Sequence, residues 1–156
     1  MAASVREQII ANIATALGDI TTGNGYENTL VSVQRFMQGG LTVAQVPTAV
    51  VNFEDERKSQ GPTERADCEL SISIDLFAVH DQDVVSGSTA TVVDSLAADV
   101  EKAVMVDPTR GGLARTCEIE SIHPFRLAES QPYVGATVSV RIRYQHSITD
   151  PYTARN

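Results

Sequence analysis

Residues 66–79 read Ala-Asp-Cys-Glu-Leu-Ser-Ile-Ser-Ile-Asp-Leu-Phe-Ala-Val, and this stretch determines the fold class. Apolar and polar side chains alternate along it, with apolar positions at Cys68, Leu70, Ile72, Ile74 and Leu76. Successive side chains of a strand point to opposite faces, so this period of two predicts a long strand with one apolar face. Such strands are typical of antiparallel sheets that are covered on one side only.

The end of the chain repeats this pattern and predicts a last strand over residues 134–146, preceded by another over 114–123. The apolar positions of the last strand are Val134, Ala136, Val138, Val140, Ile142 and Tyr144. The polar face of the last strand carries Arg141 and Arg143, and the preceding strand carries Glu118 and Glu120. If these two strands pair, the four charges are placed to form cross-strand ion pairs. The alternative is that one partner of each pair faces a neighbouring subunit.

Two helices are predicted by apolar residues that recur at helical spacing, over residues 4–17 and 89–105. The apolar stripe of the first comprises Val5, Ile9, Ile10, Ile13 and Leu17. That of the second comprises Val92, Val93, Leu96, Val100, Ala103 and Val104, with Asp94 and Asp99 on its solvent side. Ser4 and Glu7 form a capping box at the start of the first helix. Shorter strands are expected over 29–36 and 48–54. The order of helix, three strands, helix and two strands predicts a single α+β domain over 1–156. Its mostly antiparallel sheet has about five strands, and two helices pack on one face.

The segment 54–65 is rich in charge, contains Gly61-Pro62 and shows no periodicity, which predicts a long exposed loop. Residues 148–156 are expected to form a loose polar tail. Exposed charges are candidates for contacts with other proteins. These candidates are Glu54, Asp55, Glu56, Arg57, Lys58, Glu64, Arg65, Arg141 and Arg143.

The net charge of −8 argues against nucleic-acid binding as the main role, because phosphate neutralisation needs clustered lysines and arginines. The N-terminus does not have the pattern of a signal peptide, and no apolar run is long enough to span a membrane. The two cysteines, Cys68 and Cys117, lie in strand-like patterns and are expected to be buried free thiols.

The best candidate for a metal site is His80-Asp81-Gln82-Asp83, but an Asp-x-Asp sequence alone is also what a turn requires. No G-x-S-x-G motif or phosphate-binding glycine motif is present in the sequence. We therefore expect a protein that is not an enzyme, has no cofactor and no metal, and works by assembling with other proteins.

Several segments of the chain, in this order, resemble the tail terminator (tail completion) proteins of long-tailed bacteriophages. The resemblance spans most of the chain. The segments that carry it are Val5-Arg6-Glu7-Gln8-Ile9-Ile10, Ile20-Thr21-Thr22-Gly23-Asn24-Gly25-Tyr26, Val46-Pro47-Thr48-Ala49-Val50-Val51, the strand at 66–79, Gly111-Gly112-Leu113-Ala114-Arg115, Val138-Ser139-Val140-Arg141-Ile142-Arg143-Tyr144 and Asp150-Pro151-Tyr152.

The resemblance implies a virion protein that is assembled in the host cytoplasm. Its subunits would close into a ring, usually a hexamer, that caps the tail tube and ends its polymerisation. The implied partners are copies of the chain itself, the tail tube protein and the head completion or stopper protein, with DNA passing through the lumen without specific binding. Two alternatives remain: another head–tail connector or neck subunit, and a small ligand-binding domain.

Overall fold

The computed structural model describes residues 1–36, 40, 42–79, 88–126 and 133–155. Within them lie two α-helices, two short 3-10 helices (Thr22–Asn24 and Val43–Gln45) and six strands. The helices are α1 (Val5–Gly18) and α2 (Ser88–Met105). The strands are β1 (Ser32–Gln34), β2 (Thr48–Gln60), β3 (Arg65–Val79), β4 (Thr116–Arg126), β5 (Tyr133–Ser147) and β6 (Asp150–Ala154).

The strands form one curled sheet in the order β1-β2-β3-β5-β4, with β6 paired to the end of β5. All pairings are antiparallel except that of β1 with β2. The centre of the sheet is the pair β3–β5, whose register runs from Arg65 opposite Ser147 to Val79 opposite Tyr133. The predicted α+β class and mostly antiparallel sheet are therefore confirmed, and both helices contact strands.

The two faces of this sheet differ as the alternation predicts. The inner face of β3 and β5 contributes Leu70, Ile72, Ile74, Val138 and Val140 to a core that also includes buried residues of both helices. The predicted stripe of α1 is confirmed in full, since Val5, Ile9, Ile10, Ile13 and Leu17 are all buried. Both helices therefore lie over the inner face. The outer face carries charged and polar residues towards the hairpin turn and a second, smaller apolar cluster (Val46, Val50, Phe77 and Tyr133) at its other end.

The predicted capping box is half confirmed. Ser4 is the N-cap of α1, and its side chain accepts a hydrogen bond of 3.2 Å from the backbone N–H of Glu7. The carboxylate of Glu7 does not return to Ser4 and instead forms a bidentate pair with Arg35, at 2.8 and 3.0 Å. This pair ties the first turn of α1 to the residue just after β1, and it lowers the pKa of Glu7.

The predicted exposed loop at 54–65 is wrong. β2 continues to Gln60 and β3 begins at Arg65, so only residues 61–64 form the turn of a long hairpin. Every residue from Asp55 to Gln60 pairs with β3. The strand extension escapes sequence analysis because these six positions carry no apolar alternation, and their β conformation comes from pairing with β3.

The loose tail predicted at 148–156 is also wrong in its middle part. Residues Asp150–Ala154 form β6, in which Ala154 pairs with His146 and Asp150 with Ser147. The backbone N–H of Arg155 donates to the carbonyl oxygen of Gln145 at 3.1 Å. The tail thus extends the sheet beyond the point where β4 begins.

Two residues of α2 do not lie where the sequence pattern predicts. Val92, expected in the apolar stripe, is 40% exposed, whereas Asp99, expected on the solvent side, is 4% exposed. Asp94 is exposed as predicted. The carboxylate of Asp99 accepts hydrogen bonds from the backbone N–H groups of Glu27 (3.1 Å) and Asn28 (2.8 Å) and from the Asn28 side chain (2.9 Å). A buried carboxylate is tolerated there because the loop supplies three donors.

We expect Asp99→Ala to lower the free energy of unfolding by about 2–3 kcal/mol, because it leaves two backbone N–H groups and an amide without their acceptor. Chemical denaturation measures the change. Asp94→Ala, on the exposed side of the same helix, is the matched control and should stay within about 0.5 kcal/mol of wild type. Equal effects of the two substitutions would show that the Asp99 contacts contribute nothing.

Arg110 is a buried cation that the sequence pattern does not reveal. It is 1% exposed, and its guanidinium donates to the carbonyl oxygens of Val104 (2.6 Å) and Asp107 (2.5 Å) and to the side chain of Asn12 (3.2 Å). Carbonyls in the last turn of a helix have no partner within the helix, and a cation placed there also complements the helix dipole. Arg110 therefore caps the end of α2 and links it to α1.

Candidate functional site

The candidate interaction residues of the hairpin divide between the two faces of the sheet. The register places Glu56 opposite Leu70 and Lys58 opposite Cys68, so both point to the inner face. Arg57 lies opposite Glu69 and points to the outer face. A β-bulge between Phe53 and Asp55 shifts the alternation just before these residues. The charged segment therefore contributes side chains to both faces of the sheet.

On the inner face, the side chain of Glu56 is only 5% exposed and is surrounded by donors. One carboxylate oxygen accepts from Arg6 of α1 at 2.8 Å and lies 3.3 Å from the ammonium of Lys58. The other oxygen accepts a short hydrogen bond from the hydroxyl of Tyr144. We call Arg6, Glu56, Lys58, Tyr144 and His146 the Glu56 cluster.

The electrostatics of the Glu56 cluster favour a fixed carboxylate. Burial raises the pKa of Glu56, but the Tyr144 hydroxyl, Lys58 and Arg6 outweigh it, so the net pKa is lowered. Burial and the Glu56 carboxylate together raise the pKa of Tyr144. The carboxylate therefore stays ionised and the phenol stays protonated at neutral pH. This suits a structural connection, not proton transfer.

His146 completes the cluster. Its Nε2 lies 3.0 Å from the ammonium of Lys58, and its Nδ1 lies 2.6 Å from the carbonyl oxygen of Ser147. An ammonium only donates, so Nε2 accepts and Nδ1–H donates, which is the neutral tautomer. The cluster thus joins α1, the hairpin and the end of β5. The sequence-predicted Glu56 and Lys58 belong to it, whereas Arg6, Tyr144 and His146 were not predicted as site residues.

On the outer face, the predicted pairing of arginine with glutamate is confirmed for one arginine. Arg141 pairs with Glu120 of β4, and its Nε also lies 3.9 Å from Glu69 of β3. Arg143 instead approaches Glu69, at 3.4 Å. In the register Glu118 lies opposite Arg141, and a bulge between Ile119 and Ser121 displaces Glu120 towards the same arginine.

The remaining predicted site residues are dispersed. Glu54, in the bulge, accepts a 2.5 Å hydrogen bond from Ser73 on the outer face. The side chain of Asp55 is 64% exposed and lies 3.6 Å from Arg57. Glu64 and Arg65 border the hairpin turn, where their backbone carbonyls accept from Ile148 (2.9 Å) and Gly61 (2.8 Å). The structure does not bring these four residues together into one site.

The two thiols match the sequence-based expectation of buried free cysteines. Burial raises the pKa of Cys117 to about 11 and also raises that of Cys68. Both are therefore protonated at neutral pH. A protonated thiol is a poor nucleophile and a poor metal ligand, so neither cysteine has the activated form that catalysis needs.

In the part of the chain that the structure describes, no group of three or more His, Cys, Asp or Glu side chains is arranged to hold a metal ion. The sequence His80-Asp81-Gln82-Asp83 lies outside the described residues. Neither described helix has the length and apolar character that crossing a membrane requires. The predicted interaction residues that the structure describes lie on the charged surfaces of the sheet and in the hairpin turn.

No family model and no curated protein sequence matches this chain.

Proposed function

We propose that this chain is the subunit of a ring at the end of a bacteriophage tail, where it acts as a tail terminator. In this role the ring caps the tail tube, ends the addition of tube protein and provides the surface to which the head attaches, while DNA passes through the lumen. The observation that carries the proposal is a sheet whose charged outer half is exposed, on a chain whose segments resemble tail terminators.

The outer face supports contacts between subunits because no helix of the described chain packs on its charged half. Arg57, Glu69, Arg141 and Arg143 are at least 31% exposed there as side chains. The edges of the sheet also remain available: β1 pairs only with Thr48–Val50, so β2 from Val51 onward has no described strand on that side. Open edges and faces are the surfaces through which strands and sheets associate.

The net charge of −8 per subunit supports a lumen through which DNA passes. Several acidic subunits in a ring produce a negative potential, which repels phosphate and prevents DNA from binding. The role needs no catalytic group. The ionised, hydrogen-bonded carboxylate of Glu56 and the two protonated, buried thiols are suited to stabilising the fold.

The test is assembly in the presence of the natural template. We expect purified protein, examined by sedimentation and electron microscopy, to form rings and to bind the ends of assembled tail tubes, halting their growth. Protein that remains monomeric at high concentration, with tubes present, would refute the proposal. Binding to portal complexes but not to tubes would favour the connector or neck alternative.

A further inference from the structure

Four of the twelve lysines and arginines of this acidic chain lie together at one end of the sheet. An open depression of about 400 Å³ lies there. Its charged lining residues are Arg57, Lys58, Asp67, Glu69, Arg115 and Arg143. Four cations and two carboxylates give the depression a net charge of +2, on a chain whose total is −8.

Two of these arginines stand in one row across the sheet. Arg57 of β2 pairs in register with Glu69 of β3, and Glu69 pairs with Arg143 of β5. Arg57 lies 3.6 Å from Asp55 and Arg143 lies 3.4 Å from Glu69, but the two arginine side chains remain 84% and 54% exposed. Two strand spacings separate the two backbones, which is about 9.6 Å. We call this pair the arginine row.

The solvent side of α2 has a complementary pattern. Asp94, Ala98, Glu101 and Met105 are all exposed and follow one another at helical spacing, so they form one stripe, which we call the α2 stripe. Its two carboxylates are seven residues apart, which is about 10.5 Å along the helix. Ala98 between them permits close approach, and Met105, which is 43% exposed, adds an apolar contact.

The nearby cation of α2 is held to one side. The ammonium of Lys102 donates to the carbonyl oxygen of Gly25 at 2.6 Å and lies 4.7 Å from the centre of the Tyr26 ring. It is therefore directed towards the turn that follows α1, and the α2 stripe keeps its negative charge.

We propose that the α2 stripe of one subunit binds the arginine row of the next, with Asp94 and Glu101 each facing one arginine. The spacing of the carboxylates matches that of the arginines, and their charges are opposite. Because α2 lies over the inner face and the arginine row is on the outer face, the two surfaces are on opposite sides of one subunit. A contact between two different surfaces is heterologous and closes into a ring when the rotation allows. The inference deepens the proposed function and rests on it.

Neutralised variants test the heterologous geometry. The double substitution Arg57→Gln/Arg143→Gln neutralises the arginine row. The double substitution Asp94→Asn/Glu101→Gln neutralises the α2 stripe. We expect each variant alone to sediment as a monomer where wild type forms rings, with each contact weakened about tenfold or more. An equimolar mixture retains one intact pair of surfaces and should stop at a heterodimer. The matched control, Asp19→Asn/Arg155→Gln, neutralises two exposed charges elsewhere and should still form rings.

Charge reversal gives a second measurement. A single chain that carries Arg57→Glu, Arg143→Glu, Asp94→Arg and Glu101→Arg has both surfaces reversed, and we expect its rings to return. Association of wild type should also weaken between about 0.05 M and about 0.5 M salt, because exposed charge pairs are screened. Rings that persist in both neutralised variants would overturn this contact and leave the proposed function standing. A wild-type chain that never assembles would overturn both.

Discussion

Gly135→Ala is expected to destabilise this protein more than any other replacement of a glycine by alanine at the described positions. A Cβ at position 135 would lie against the carbonyl oxygen of Leu76, far inside contact distance, and 2.9 Å from the carbonyl carbon of Leu76 and from Cζ of Phe125. Leu76 is on the neighbouring strand β3, and Gly135 pairs with Phe77 in the register. Relief would require the two central strands to separate. We expect a loss of about 3 kcal/mol or more of unfolding free energy.

Thermal denaturation followed by circular dichroism measures the effect, which corresponds to a fall in Tm of roughly 10 °C for a chain of this size. Gly18→Ala is the matched control, because a Cβ at that helical position has no atom within 4 Å apart from its chain neighbours and its own helix backbone. It should leave Tm unchanged or raise it slightly, since alanine favours helix. A Gly135→Ala variant with the same Tm as wild type would show that β3 and β5 do not approach each other this closely at position 135.

Replacing Glu56 should produce the second large effect. Glu56→Ala leaves the buried hydroxyl of Tyr144 without its acceptor and removes the only carboxylate that Arg6 and Lys58 contact in the described residues. Because a polar group left unpaired in the interior carries its full desolvation penalty, we expect a loss of about 3–4 kcal/mol. Glu56→Gln keeps the shape and an acceptor, so its loss should be smaller, at about 2 kcal/mol.

The effect of Glu56 depends on pH with a defined sign. Its pKa is lowered in the folded state, so it stabilises the fold above the ordinary glutamate pKa, and this contribution is lost as pH falls through the lowered value. We therefore expect Glu56→Gln to differ from wild type at neutral pH and to converge with it in acid. Chemical denaturation between about pH 7 and pH 3 measures this. Glu118→Gln, an exposed control, should follow wild type throughout. A difference in unfolding free energy between Glu56→Gln and wild type that stays constant with pH would exclude the ionised carboxylate of Glu56 as its cause.

Elements that depend on residues close together in the sequence were predicted correctly, and elements that depend on pairing between strands were not. The helices at 4–17 and 89–105 and the strand at 66–79 are found within one residue at every boundary, because periodicity is set by neighbours along the chain. The hairpin arm at 55–60 was missed because its β structure depends on pairing with β3 and leaves no apolar period. β6 was missed for the same reason, because its polar sequence does not indicate that it pairs with the end of β5.

The sequence predicted some of the charged residues that belong to the candidate site, but it did not predict which of them contact one another. Sequence identifies Glu56 and Lys58 as charged and Tyr144 as part of an apolar stripe. The hydrogen bond between Tyr144 and Glu56 joins residues 88 positions apart, and that between Arg6 and Glu56 joins residues 50 positions apart. Asp99 shows the same limit, because its burial depends on donors that lie 71 and 72 positions away.

The strand at 66–79 therefore determined, by its own alternation, that this protein has a sheet with an apolar and a polar face. That is a local property, because each side chain's direction is fixed by the strand that carries it. Only the tertiary structure decided that the charged segment after residue 54 is part of that sheet, with Glu56 buried on one face and Arg57 exposed on the other. The physical reason is that register and bulges arise from pairing between strands, and pairing is not encoded within either strand alone.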